Sequence, residues 1–411
     1  MSTTFSNALS GLSASALAID AVSGNLANLN TYGYKATGVS FQDLINQSLG
    51  GSTRTSVGGS VVAQTTRTFS QGSIQTTGQA FDAAIQGNGF FVVQNAAGET
   101  GFTRAGNFKL DKTGHLLTQS GQFVQGYNAS GGVLSNTLSD IVLPTTGRNP
   151  SPTKTISATA NLNANAVVGT PAATFSSPIA LIDALGNTHA LTITYTKSAS
   201  NTWNYSVDLP AADLTGGAPS QLATGTLTFD GQGQLTSPAA GSPVVLSITG
   251  LSDNADPMTV NWNIYDPTTG IATFTQLSQA SANTGSAQDG TTSGLLTNMN
   301  IGANGQILAH YSNGDLIPVA QIALESFLNP DSMQDLGNNT FGVTTATSSG
   351  VKGIPGTGSL GQISGGALEG STVDIAKEFT NLLIYERGYQ ANSKVITTED
   401  DILQQTVALK R

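Results

Sequence analysis

NLANLNTYGYKA, residues 25–36, closes an N-terminal stretch in which Asp20 is the only charge before Lys35. Upstream, Phe5, Leu12, Ile19 and Leu26 fall seven residues apart, with Leu9, Ala16, Val22 and Leu29 beside them. That spacing predicts a helix with one apolar stripe. Asn25, Asn28, Asn30 and Gly33 then mark its fraying end and a turn, with Tyr32 and Tyr34 as expected packing anchors. The far end of the chain repeats the pattern: Ile375, Leu382, Tyr389, Ile396 and Leu403 are also seven apart. Phe379, Leu383, Tyr385 and Val407 widen that face, while Lys377, Glu378, Glu386, Arg387, Lys394, Glu399 and Asp400 cover the other. Ser371 or Thr372 suits the cap of this helix, with Asp374 in its first turn. The positions three residues on, Glu378, Tyr385, Asn392 and Glu399, are mostly polar, so neither stripe completes a coiled coil alone. Pairing of the two helices in one molecule would leave the nearly chargeless first helix with an exposed back, which favours burial among neighbouring copies. Lacking full partners, both ends are expected to be largely disordered in the monomer.

Between the ends the pattern turns β. GFFVVQN (89–95), LTITYT (191–196), WNYSVDL (203–209), GTLTFD (225–230), PVVLSIT (243–249) and MTVNWNIYD (258–266) are short, β-branched or aromatic runs bounded by turn residues. DKTGHLL (111–117), DGQGQLT (230–236) and GANGQIL (302–308) share a turn-then-strand shape, with glycine where a hairpin needs positive φ. Residues 50–60 and 345–366 read as flexible connectors, and 144–155 with 281–294 as matched linkers around an inserted domain. The expected fold is multidomain, α plus all-β. Terminal helices (1–33 and 368–411) form a coiled-coil-like core; 34–70 is an extended linker; 71–145 and 286–367 form a discontinuous inner β domain; 146–285 is an inserted outer β domain.

Composition narrows the function. The 411 residues are 38% hydrophobic but only 10% charged, with 48 glycines and a formal net charge of −10. No basic cluster exists to displace counterions from a phosphate backbone, which argues against nucleic acid. The chain has no cysteine, which excludes disulfides and thiolate metal sites. Its start lacks the basic segment and continuous apolar run of a signal peptide; Ala16-Leu17-Ala18 only superficially resembles a cleavage site. No apolar run is long enough to cross a membrane as a helix.

Catalytic motifs are lacking. His115, His189 and His310 lie far apart with no helix-face metal spacing, and a histidine metal site is not expected. Asp253, Asn254 and Asp256 lack the glycine and terminal glutamate of a calcium loop and read as a solvated turn. Gly87-Asn88-Gly89 opens a strand, so it is no phosphate loop. Glu99, Asp111, Asp183, Asp208 and Glu325 are isolated acids, expected to be exposed. No cofactor, metal or catalytic residue is assigned, and an enzyme is disfavoured.

SGLSASALAIDAVSGNLANLNTYGYKA (10–36) resembles the signature segment of the bacterial flagellar rod and hook axial proteins, with Asn25, Asn28, Thr31, Gly33, Tyr34 and Lys35 as the motif residues. Residues 367–409 resemble that family's terminal helix, with Thr372 standing where Asn is usual. GNGFFVVQN (87–95) and 102–127 resemble its common β domain. The insertion of roughly 140 residues, a domain's worth, and the stretches 153–166 and 303–350 resemble the hook-type rather than the rod-type members. The resemblance implies a self-assembling subunit of a curved, hollow helical tube, a flexible joint transmitting torque from rod to filament. Implied assembly residues are Phe5, Leu9, Leu12, Ile19, Leu26, Ile375, Phe379, Leu382, Tyr389, Ile396 and Leu403. Implied partners are other copies of the chain, the distal rod protein, the hook cap protein, the hook–filament junction protein and the type III export apparatus. The implied location is extracellular, on the flagellum, reached without a cleaved signal. Two rivals stay open: a distal rod protein, and a secreted β-rich adhesin or hydrolase.

Overall fold

The computed structural model describes residues 3–44, 60–218 and 220–408. Two compact units divide the chain: Met1–Thr145, Asn298–His310 and Leu316–Arg411 make the first, and Thr146–Thr297 with Tyr311–Asp315 the second.

In the first unit, helix α1 (Thr3–Ala27) lies against helix α2 (Ile375–Ala408). Alanine supports α1, but its serines, asparagines, threonines and two internal glycines are poor helix formers, so packing has to hold it. The packed face differs from the expected stripe. Ala8, Ser15 and Val22, with Ala14, Ala18 and Asn25, are buried, whereas Phe5, Leu12, Ile19 and Leu26 are only half-buried. Small side chains let the two backbones approach. A Cβ on Gly11 would stand 2.8 Å from Asn392 Nδ2, and one on Gly388 would stand 3.4 Å from Ser15 Oγ. On α2 the row turned inward is the polar one, Glu378, Tyr385 and Asn392. The two terminal helices thus pair within one molecule, the arrangement weighed above as leaving part of each helix open. Asp374, rather than Ser371 or Thr372, caps α2: its carboxylate accepts the Lys377 N–H at 3.1 Å.

The expected linker 34–70 is largely a β-hairpin. Thr37–Leu44 pairs antiparallel with Ser60–Arg67, and Phe41 meets Tyr385 of α2 with ring centroids 5.8 Å apart. The supposed connector at 50–60 lies, apart from Ser60, outside the described residues. Around Phe90–Gln94 a sheet forms with Thr100–Thr103 and Phe123–Ser130 as its flanking strands. Phe90, Val92, Phe102 and Phe341 fill a core there, with Phe69 and Phe327 packed against it. The 345–366 segment is not a free connector either. Val351–Gly353 pairs with Leu324–Ser326, and Gln362–Gly365 with Ala83–Gln86.

The second unit has two five-stranded sheets around one core. One is an antiparallel meander of Thr174–Ile182, Thr188–Ala199, Thr202–Leu209, Ser220–Phe229 and Leu235–Ser237. In the other, Thr155–Asn161 runs parallel to Met258–Asn263 and antiparallel to Ala282–Gln288. Period-two alternation aims Leu191, Ile193 and Tyr195 inward against Trp203 and Trp262, both fully buried. Strand Ala282–Gln288 lies inside the linker expected at 281–294, and the domain edge expected at 285 falls within it. Its Ser, Thr, Asn and Gly side chains are exposed almost throughout, so no apolar alternation betrays it. Asp289 fastens its end, accepting from Lys154 N at 2.8 Å and Thr155 N at 2.9 Å.

Candidate functional site

The opening segment 25–36 becomes a locked joint. Asn25, at the end of α1, is buried and bonds the backbone of Thr37 twice: Nδ2 donates to Thr37 O at 2.9 Å and Oδ1 accepts Thr37 N–H at 2.8 Å. The Tyr34 hydroxyl donates to the same oxygen at 3.3 Å. Thr31 Oγ1 donates to Asn28 Oδ1 at 3.1 Å. Gly33 takes φ +69, and a Cβ there would stand 2.4 Å from Ala105 N; glycine is required on both counts. Of the two expected aromatic anchors Tyr34 is buried, while Tyr32 is exposed.

Lys35 is fully buried. Its ammonium donates to Glu369 Oε1 at 2.7 Å and Ser70 O at 2.6 Å. Arg104 reaches Glu369 Oε2 at 3.3 Å, and the Gly72 N–H donates to Oε1 at 2.7 Å. Burial pulls both the Lys35 ammonium and the Arg104 guanidinium below their ordinary values, with the Glu369 carboxylate opposing. Glu369 is delivered by Ala367–Glu369, paired antiparallel with Ile74–Thr76, five residues before Asp374 caps α2. The exit of α1 and the entry of α2 are thereby fastened to one point. Gly33 N–H also donates to Glu369 O, and Ala36 N–H to Thr372 Oγ1. Lys35 was legible as a motif residue; Glu369 and Arg104 were not.

The helices then offer a surface. Leu9 on α1 is 48% exposed. On α2, Phe379 is 53%, Leu383 59% and Leu403 55% exposed, and Ile375, Ile384, Tyr389, Val395 and Ile402 are also open; Leu382 and Ile396 are half-buried. Of the expected assembly residues, Leu9, Ile375, Phe379, Tyr389 and Leu403 are therefore exposed, while Phe5, Leu12, Ile19, Leu26, Leu382 and Ile396 are half-buried. Burying a half-exposed Leu, Ile or Phe side chain is worth roughly 1 kcal/mol, so a row of this length is a substantial association surface.

A polar cleft of about 800 Å³ lies beside the joint, lined by Asn28, Thr31, Tyr32, Arg67, Gln122 and Asn339 among others. Amides and hydroxyls dominate it, and no nucleophile–base pair converges there among the described residues. Of the isolated acids, Asp183 and Glu325 are buried rather than exposed. Asp183 lies with His189 and Asp253 at one end of the second unit's sandwich, so the three residues could share a cation. Among the described residues, no helix is long and apolar enough to cross a membrane.

The chain matches four family models. They are "Flagella basal body rod protein" over 5–35, "Flagellar hook protein FlgE/F/G D1 domain" over 84–162, "Flagellar basal body protein FlaE D2 domain" over 155–291, and "Flagellar basal body rod FlgEFG protein C-terminal" over 364–409. It is 30% identical to the flagellar hook protein FlgE of Escherichia coli K12, across 99% of this chain and 100% of that one. To FlgE of Borreliella burgdorferi it is 33% identical, across 98% of each. The crystal structure of Helicobacter pylori FlgE2 shares the fold with a TM-score of 0.54 at 16% identity, covering 66% of this chain and 94% of that one.

Proposed function

The chain belongs to the flagellar hook protein family, a structural and not an enzyme family, and is a homopolymeric component of the flagellar hook; from that premise we propose that it builds the tube with the open flanks of its terminal helices. In this reading α1 and α2 form the inner tube, where Phe5, Leu9, Leu12, Ile19 and Leu26 of one copy and Ile375, Phe379, Leu382, Tyr389, Ile396 and Leu403 of others close the surface that one molecule leaves open. Repeated contacts between unlike patches do not close into a ring and so propagate a helical polymer. The β units form the outer layers, and their polar, weakly charged faces slide as the bent tube rotates.

The Lys35–Glu369–Arg104 joint is the mechanical coupling in this scheme. It carries torque between the helical core and the first β unit because both helices enter it at Glu369 and Lys35. The single observation that carries the proposal is the exposed apolar row on α2, which a solitary soluble subunit has no use for. Subunits reach the tip unfolded through the type III export apparatus with no cleaved signal and add beneath the hook cap protein. The distal rod protein lies below the tube and the hook–filament junction protein above it. The absence of cysteine suits such passage.

Electron microscopy of the purified, concentrated chain tests the reading. Short curved hollow tubes are expected; straight tubes would favour a rod role, and a monomer with turnover on a glycan would overturn the assembly reading.

A further inference from the structure

We propose that the second unit holds a divalent transition-metal ion at Asp183, His189 and Asp253. The strand Thr188–Ala199 alternates strictly, so His189 falls on the inward row with Leu191, Ile193 and Tyr195. It occupies the end of that row, where the apolar core gives way to acids. Asp183 stands opposite, just past Thr174–Ile182, in the turn Asp183-Ala-Leu-Gly186-Asn187. That turn has the form of the one at 111–115 and the one at 230–234, in which an aspartate Oδ1 accepts the N–H groups two and four residues on. Asp183 Oδ1 accepts those of Leu185 and Asn187, both at 2.8 Å. Its second oxygen is thereby aimed at the imidazole instead of at solvent.

Asp253 arrives from a separate loop, and Asn187 Nδ2 donates to its Oδ2 at 2.9 Å. His189 Nε2 stands 3.1 Å from Asp183 Oδ2 and 3.5 Å from Asp253 Oδ2, and one ligand atom from each of the three residues falls within 4.8 Å of the others. Tetrahedral zinc at ~2.0–2.1 Å from its ligands separates them by about 3.3 Å, so these atoms converge on such an ion with little movement. The other side of the ring fits as well. His189 Nδ1 is buried without a hydrogen-bond partner and faces Asp213 Oδ2 at 3.6 Å. A metal-bound histidine commonly donates its second N–H to a carboxylate, which fixes the tautomer and leaves Nε2 free to coordinate.

Charge points the same way. Three aspartates surround one imidazole, and among the described residues no Lys or Arg makes an ion pair with any of them. Even an imidazolium leaves a net deficit of positive charge, which a divalent cation removes. The ion would tie together the hairpin end at 183–189 and the loop at 253, with Asp213 supporting from a third segment.

The test uses the untagged full chain at a concentration that keeps it monomeric, with zinc chloride as the probe. Titration by calorimetry should give one site per chain. Trp203 and Trp262, the chain's two tryptophans, both lie in the second unit, so their fluorescence follows its unfolding. Zinc at a hundredfold excess over its dissociation constant should raise that transition by about 8 °C, and EDTA should reverse the shift. Asp253→Asn, at a partly exposed carboxylate, should abolish binding; Asp213→Asn should weaken it about 10–100-fold; the double variant H115A/H310A should bind as the parent does. Absence of saturable binding, or binding that survives both Asp253→Asn and His189→Gln, overturns the proposal. So would an imidazole at His189 that stays protonated with no change in its NMR signals when zinc is added.

Discussion

Replacing Glu369 with Gln keeps the side chain's shape and removes one charge from the joint. Lys35 is fully buried and Arg104 is 5% exposed, so two cations would face each other with no anion between them. Removing one partner of a buried pair costs about 3–5 kcal/mol, because the charge left behind stays desolvated. In addition one amide oxygen cannot accept from Lys35, the Gly72 N–H and Arg104 together. Lys35→Met makes the contrast. There Glu369 loses the Lys35 donor but keeps Arg104 and Gly72, and Ser70 O is left without the Lys35 donor, a cost of about 1–3 kcal/mol. The expected order is therefore parent, then Lys35→Met, then Glu369→Gln. Calorimetry of the monomer should show the first unit's transition falling in that order. Tryptophan fluorescence, which reports the second unit, should hold its midpoint in all three proteins. A Glu369→Gln variant within about 1 kcal/mol of the parent, or a larger loss for Lys35→Met, would refute the idea that this triad fastens the helices.

Other perturbations separate the remaining claims. Gly33→Ala puts a Cβ against Ala105 N in a left-handed conformation; a loss above about 2 kcal/mol, read from the first unit's melting, is expected. Gly11→Val drives a side chain into Asn392 and should expose α1 to proteolysis while the second unit's melting stays unchanged. The pair Leu383→Asp and Ile384→Asp should leave the monomer's melting unaltered and abolish polymerisation, checked by sedimentation. For Asp289, burial pushes the carboxyl up but the donors from Thr155 and Lys154 outweigh it and leave it below 3.8. Its stabilisation is thus present above the unfolded value and lost as pH falls through the folded one. The stability gap between the parent and Asp289→Asn should accordingly close on acidification below 3.8, followed by denaturant titration across pH.

Much of this architecture was written in local patterns. Alternation in LTITYT and WNYSVDL marked strands because each presents one face to a core. The heptads of Phe5 and Ile375 marked helices. What the heptads could not reveal was which side packs within the molecule. Large apolar residues drew attention, yet the close approach of the helices is made at Gly11 and Ser15 of α1 against Asn392 and Gly388 of α2, where size rather than hydrophobicity allows it. The strand Ala282–Gln288 was invisible because it is exposed on both faces and needs no apolar residues. Glu369 and Lys35 are 334 positions apart, and Asp253 reaches the hairpin end that carries Asp183 and His189 from a separate loop, so only the tertiary fold brings them together. A signal did exist for the second cluster: the Asp183 turn has the form of those at 111 and 230, and the histidine two residues beyond it continues the inward row.

The assembly surface itself is open to a direct measurement, because a chain without cysteine accepts a single reporter thiol. With Leu383→Cys, at a position 59% exposed on α2, maleimide labelling should be rapid in the monomer and at least tenfold slower once tubes have formed. Equal labelling rates in monomer and tube would contradict burial of this face between copies.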